Sequence, residues 1–319
     1  KSAGAFHGHA ETVLFLRCRM PFGGMHAALK SEITRARDRA DPLGTGLTTS
    51  EPLRVRHDEA SFGVVRRFNR LSLGLIGRYG LNDLEDGADI AGTPVIFSDN
   101  NRSEAEGRIE LTYEFLRGEN SSEAPEHYLY AVLRRGHQDF EKRSFDGTDF
   151  AGLKRDRGTM GGLVGFQTNY KDKLLANIGA GYMQQDFEEA SLGTTGTYDL
   201  KADIDYLLTP KWMLGFKAGR EIAQDNDVLR GIVRSQYALT SQYELLHNMY
   251  FDSALGYCTY AFTDTAREDE NVSGKLGLSY VFSPRLKGTL EGFRMERESS
   301  EAGRDMDRSV VMIGIKGAL

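Results

Sequence analysis

Cysteine is nearly missing from this chain. Cys18 and Cys258 are the two among 319 residues, too few for a disulfide framework, and neither sits in a CxxC or Cys/His cluster of zinc spacing. Long apolar runs are missing too. The stretch Thr12 to Leu16 is ended by Arg17, far short of the roughly 18 residues a membrane helix needs, so helical spanning is excluded. Basic surplus is absent, with 40 Lys+Arg against 46 Asp+Glu and a net charge of -6. That balance argues against a nucleic-acid partner, whose phosphates need a basic face. No serine stands in a GxSxG elbow, and neither Asp225-Asn226-Asp227 nor the acidic run Asp264 to Glu270 has EF-hand spacing. No cofactor, metal site or catalytic residue is therefore expected.

The composition that is present leans towards strands. Glycine numbers 36 against 7 prolines, with 14 tyrosines and 17 phenylalanines, the profile of Gly-punctuated aromatic strands. Period two dominates from about residue 27 onward. Tyr198, Leu200, Ala202, Ile204 and Tyr206 alternate with Asp199, Lys201, Asp203 and Asp205, one face apolar and the other charged. The same pattern recurs in Ile109 to Phe115, Leu174 to Tyr182, Trp212 to Ala218, Val272 to Tyr280 and Val311 to Leu319.

Short turns such as Phe68-Asn69-Arg70, Leu208-Thr209-Pro210-Lys211 and Phe282-Ser283-Pro284-Arg285 alternate with long polar connections. Tyr206, Tyr243 and Tyr280 precede three of the short turns at one constant interval, which marks a hairpin repeat. About seven such units predict an all-β fold, a transmembrane up-and-down antiparallel barrel of about 14 strands (range 12–16). A dry sandwich core would have to hold the charged face, at several kcal/mol per ion. A wet lumen hydrates it, and the apolar face then meets lipid. Strands of about ten residues at about 3.3 Å each, tilted near 45°, cover an apolar band of about 25 Å. Phe68, Phe115, Tyr170, Tyr206, Trp212, Tyr243, Tyr250 and Phe282 flank the short turns, as an aromatic girdle would. Residues 27–319 are read as the barrel. Residues 1–26, which neither alternate nor carry a signal-peptide core, are set apart as an atypical segment, disordered or artefactual.

The turn Tyr280 to Leu286, Arg297 to Ser300 in the strand rising from it, and Asp305 to Ser309 opening the last descending strand together resemble the final hairpin of the "putative beta-barrel porin 2" group of bacterial outer-membrane proteins. Arg66-Arg67-Phe68-Asn69-Arg70-Leu71-Ser72-Leu73 resembles an early turn of that group. The resemblance implies location in the outer membrane, contact with its lipid and lipopolysaccharide, and a link to exopolysaccharide or capsule export with periplasmic machinery as partner. Residues before Ala27 do not share it.

Candidate substrate contacts are the charges on the lumen face: Asp199, Lys201, Asp203, Asp205, Lys217, Glu221, Arg234, Lys275, Lys287, Glu291 and Lys316. Carboxylates accept and Lys/Arg donate hydrogen bonds to sugar hydroxyls; the bland alternative is that they pair across neighbouring strands. The expected function is a passive conduit or accessory port for exopolysaccharide. The alternatives are a general diffusion porin for small polar solutes and a barrel hydrolase or acyltransferase using His137 and Asp139. Loop charges such as Lys154-Arg155-Asp156-Arg157 are read as hydrated loops, with contact to lipopolysaccharide phosphates as the rival reading.

Overall fold

The computed structural model describes residues 9–19, 25–36, 53–88, 94–95, 98, 101–117, 126–141, 152–223, 231–263 and 266–317, with backbone alone over 9–19, 25–36, 53–55, 94–95, 116–117 and 316. In chain order the strands are β1 (His9–Arg19), β2 (Met25–Ala36), β3 (Leu53–Phe68), β4 (Leu71–Leu84), β5 (Gly87–Ala88), β6 (Pro94–Val95), β7 (Arg102–Arg117), β8 (Glu126–Phe140) and β9 (Arg157–Tyr170). There follow β10 (Leu174–Phe187), β11 (Thr194–Thr209), β12 (Trp212–Ala223), β13 (Ile232–Leu246), β14 (Met249–Phe262), β15 (Glu268–Ser283), β16 (Leu286–Ser299) and β17 (Met306–Gly317). A 3₁₀ turn, Ala190–Leu192, lies between β10 and β11.

Fifteen strands form one sheet in strict sequence order from β1 to β17, with β5 and β6 set aside as a small hairpin. Every adjacent pair is antiparallel, the up-and-down order that the hairpin repeat predicts. The first strand falls in the segment read from sequence as unlike a strand. Its pairing with β2 shifts register between Ala10 and Thr12 and then runs unbroken to Arg19; the consecutive apolar residues Val13 to Leu16, rather than an alternation, fill it, so no period of two shows in the sequence.

Tight turns close one end of the sheet. Asn69 (φ 53°) and the pair Lys171 (φ 52°) and Asp172 (φ 53°) take the left-handed conformation that lets a short hairpin follow the strand twist. The Asn169 amide supports the second of these, donating to Asp172 Oδ1 at 2.9 Å and accepting from the Asp172 N–H at 3.1 Å. The strand ends that flank the other connections, 20–24 and 118–125 excepted, lie at the opposite end.

The apolar side chains point the wrong way for a protein in water. Val164 is 65 % exposed, Leu255 64 % and Leu276 59 %, and Ile313, on the last strand of the order, reaches 83 %. Among the described residues few apolar side chains are buried, and most of these, including Met183, Leu192, Ile222, Ile232 and Val233, lie towards the long-loop end. The charged face is concave: Arg134 on β8 reaches Asp199 on β11 at 2.5 Å, across three strand spacings of about 4.8 Å each. Tyr130 on β8 likewise reaches Asn177 on β10.

Aromatic rings ring the convex face at the tight-turn end. Phe115, His127 and Phe166 stack with centroids 5.7–6.1 Å apart, and Trp212 meets Tyr243 edge-on at 6.0 Å. Tyr250 departs from this girdle, because its register partner is Ser279 on the concave face. Trp212 also donates from Nε1 to Ser241 Oγ at 2.8 Å. Losing the edge contact and the hydrogen bond together in Trp212→Phe should lower stability by about 1–2 kcal/mol in denaturant unfolding of the liposome-inserted protein. No loss would mean that this ring is not anchored by its partners.

Candidate functional site

The concave wall is built row by row, because residues paired across antiparallel strands share a face. Asp199, Lys201, Asp203 and Asp205 lie opposite Gly181, Gly179, Asn177 and Leu175 of β10. Lys217, Glu221, Arg234, Lys275, Lys287 and Glu291 fall on the same face by register, as does the backbone position of Lys316, whose side chain lies outside the described residues. The alternation thus carries all eleven candidates to one wall.

Most of them pair with a neighbour. Lys217 Nζ lies 3.3 Å from Asp203 Oδ2, Lys275 Nζ 2.9 Å from Glu291 Oε2, and Arg234 pairs with Glu221. Lys287 stands opposite Lys316 beside the tight turns. Asp199 pairs with Arg134, a residue the sequence reading does not single out. Other unforeseen wall residues are Arg108 with Glu110 at 2.7 Å, Arg78 with Glu106 at 2.9 Å, and Arg67 with the buried Glu114. Signs alternate around the wall, so its field is local.

Between these pairs opens a cavity of ≈ 890 Å³. Uncharged hydrogen-bonding groups line it, among them Tyr130, Gln167, Asn177, Gln236, Asn271 and Ser273. Together with the ion pairs, and with Val132, Leu163 and Met295 between them, they make a mixed wall on which most charges are paired.

The long-loop rim is held separately. Lys154 Nζ sits 2.8 Å from Asp156 Oδ2 and 2.5 Å from Glu188 Oε2, and hydrogen bonds to Asp156 and then Glu188 push its ammonium above its usual range. Arg155, Arg157 and Arg102 surround the Phe140 ring at 4.6, 5.4 and 5.8 Å. His137 Nε2 lies 2.9 Å from Asp139 Oδ1, with Glu188 at 3.9 Å. Their register puts both on the Leu133 face of β8, away from the cavity. Asp225 to Asp227 lie outside the described residues.

With fold and wall in view, comparison with known proteins decides the family. The family model described as "Putative beta-barrel porin 2" matches residues 25–319. The chain belongs to that family. The match opens at the first residue of β2 and takes in every later strand of the main sheet, which leaves an even number of strands, as single-chain outer-membrane barrels have. No curated protein matches the sequence.

Solved structures of similar fold include two transporters and an uptake receptor. The ferric citrate transporter FecA superposes with a TM-score of 0.54 at 11% identity, covering 97% of this chain and 62% of that one. The FrpB iron transporter from Neisseria meningitidis gives 0.53 at 7%, covering 89% and 50%. The ferric yersiniabactin uptake receptor FyuA from Yersinia pestis gives 0.50 at 13%, covering 92% and 54%. This porin-family chain therefore spans between half and two thirds of those barrels, and at such identities the likeness is one of fold. Family and fold together make it an integral β-barrel of the bacterial outer membrane.

Proposed function

We propose that this barrel is a passive conduit for an exopolysaccharide or capsular polymer leaving the cell, and that it performs no chemistry. The observation that carries the reading is the wall itself. Its charges are largely neutralised in cross-strand pairs, and the cavity between them is lined by Tyr, Gln, Asn and Ser side chains. A polysaccharide exposes hydroxyls that both donate and accept, so it slides best along a wall offering many modest hydrogen bonds and no deep electrostatic trap. Conduction requires sites weak enough to leave, and exposed ion pairs and amides fit that requirement.

Polymer partition in the native host tests the proposal. Deletion of the gene should trap polysaccharide in the periplasm, and a wild-type copy should restore it to the medium. Unchanged distribution in the deletion strain would sink the polymer reading. Conductance to small solutes in a planar bilayer would then favour a general diffusion porin.

A further inference from the structure

One row of the wall has an unusual make-up. Tyr130 on β8 stands opposite Gly165 on β9, Gly165 opposite Gly179 on β10, Gly179 opposite Lys201 on β11, and Lys201 opposite Gly219 on β12. An aromatic ring and an ammonium thus share a row whose intervening positions carry no side chain.

The two glycines are needed for the pose of the tyrosine. A Cβ at Gly165 would fall 2.3 Å from Tyr130 Cζ, and one at Gly179 would fall 2.7 Å from Tyr130 Oη. Real Cβ atoms do not approach so closely, so any larger residue at either position displaces the ring, and at Gly165 it also meets the Ile178 carbonyl oxygen of β10 at 2.5 Å. With glycine at both, the ring lies flat along the wall, and its hydroxyl donates to Asn177 Oδ1 at 2.6 Å. One ring face rests on glycine backbone and the other is left to the cavity that Tyr130 lines. Burying the ring in the wall would need none of this.

Between the hydroxyl and Lys201, Gly179 carries no side chain, and Leu163 leans over it with Cδ2 3.0 Å from the position a Cβ would take. Among the described residues Lys201 makes no hydrogen bond or ion pair within 4.0 Å, unlike Lys217 and Lys275 on the same wall. On the long-loop side the space is closed by the Arg134–Asp199 bridge. On the tight-turn side the next row presents Gln167, Asn177 and Asp203. A flat aromatic, adjacent amides and an ammonium that makes no direct ion pair, though it shares the field of Asp199, are the groups that recognise a pyranose ring bearing a carboxylate. The ring's C–H face packs on the aromatic, its hydroxyls meet the amides, and the carboxylate meets the ammonium.

We propose that Tyr130, Asn177 and Lys201 form a binding subsite for a uronic-acid residue, with Gly165 and Gly179 as the floor that holds Tyr130 flat. The proposal rests on the conduit reading for its biological meaning and deepens it by naming the sugar class. As a binding site it stands on its own geometry.

The test is calorimetric titration of the detergent-solubilised full chain with hexagalacturonate, using maltohexaose as the neutral probe. Hexagalacturonate should bind more tightly than maltohexaose. Tyr130→Ala should weaken hexagalacturonate about ten-fold, the scale of one aromatic platform, and Tyr130→Phe should keep most of that binding. Lys201→Gln should abolish the preference for the acidic probe while leaving maltohexaose unchanged. Gly165→Ala should reproduce the Tyr130→Ala loss, with heat-modifiable gel mobility confirming that each variant is a folded barrel. Absence of hexagalacturonate binding by the wild type, or equal affinity in Tyr130→Ala, overturns the subsite. If hexagalacturonate binds while gene deletion leaves polymer export unchanged, the conduit reading falls and the subsite stands. If export needs the gene and hexagalacturonate does not bind, the subsite falls and the conduit stands.

Discussion

Leu276→Arg should lower the stability of the inserted barrel by about 2–4 kcal/mol, the cost of a cation on the lipid face near the bilayer midplane. Its neighbour offers the control: Lys275→Leu should change stability by no more than about 1 kcal/mol, the value of one exposed ion pair. The two residues are adjacent on β15, and both lie near the middle of Glu268–Ser283. They differ in face. Leu276 is 59 % exposed on the convex side, whereas Lys275 pairs with Glu291 on the concave side. Hydropathy alone favours leucine at either position in a membrane protein and cannot produce this asymmetry. Reversible denaturant unfolding in phosphatidylcholine liposomes, followed by Trp212 fluorescence, measures both. Equal penalties at 275 and 276 would mean that the alternation does not separate lipid from lumen, and the whole orientation of the wall would have to be given up.

That orientation is the part most legible in the sequence. Thr197 to Tyr206 states it directly, because five apolar residues alternate with four charged ones and a period of two admits a single geometry. Pairing across strands was less accessible. Nothing in the sequence joins Asp203 to Lys217 rather than to another cation, since that contact depends on register set by the Thr209–Trp212 turn. Arg134 was hidden for a different reason. Leu133-Arg134-Arg135 places an arginine on each face, so the local pattern does not say which one enters the lumen; only the pairing of Arg134 with Gly161 decides it. Tyr130 was missed because aromatics in a barrel are expected at the lipid interface, and its lumenal parity shows only beside Val132 and Arg134. The glycines of β9 read as punctuation of a strand, whereas Gly165 is vacant so that a side chain two strands' width long can lie over it. A sequence signals the side chains it has; a space kept for a neighbour's side chain is legible only after register is known.

The Arg134–Asp199 bridge gives the second large effect. Asp199 keeps 10% side-chain exposure and Arg134 36%, so the carboxylate is nearly closed off while the guanidinium reaches cavity water. Removing one partner of a fully buried pair costs about 3–5 kcal/mol. Hydration of the arginine end reduces that, and Arg134→Met should cost about 1–3 kcal/mol. The cost should come chiefly from the Asp199 carboxylate left beside Glu221 without its cation. The double variant Arg134→Met/Asp199→Leu, which removes both charges, should therefore be more stable than Arg134→Met alone, with a coupling of about 1–2 kcal/mol in the double-mutant cycle. The bridge spans from β8 to β11 over the Gly161 backbone and the Met183 side chain, so it also fixes the curvature of this part of the wall. A cycle with no coupling would show that the two groups do not meet in the membrane-inserted barrel, and that the wall there is flatter than the bridge requires.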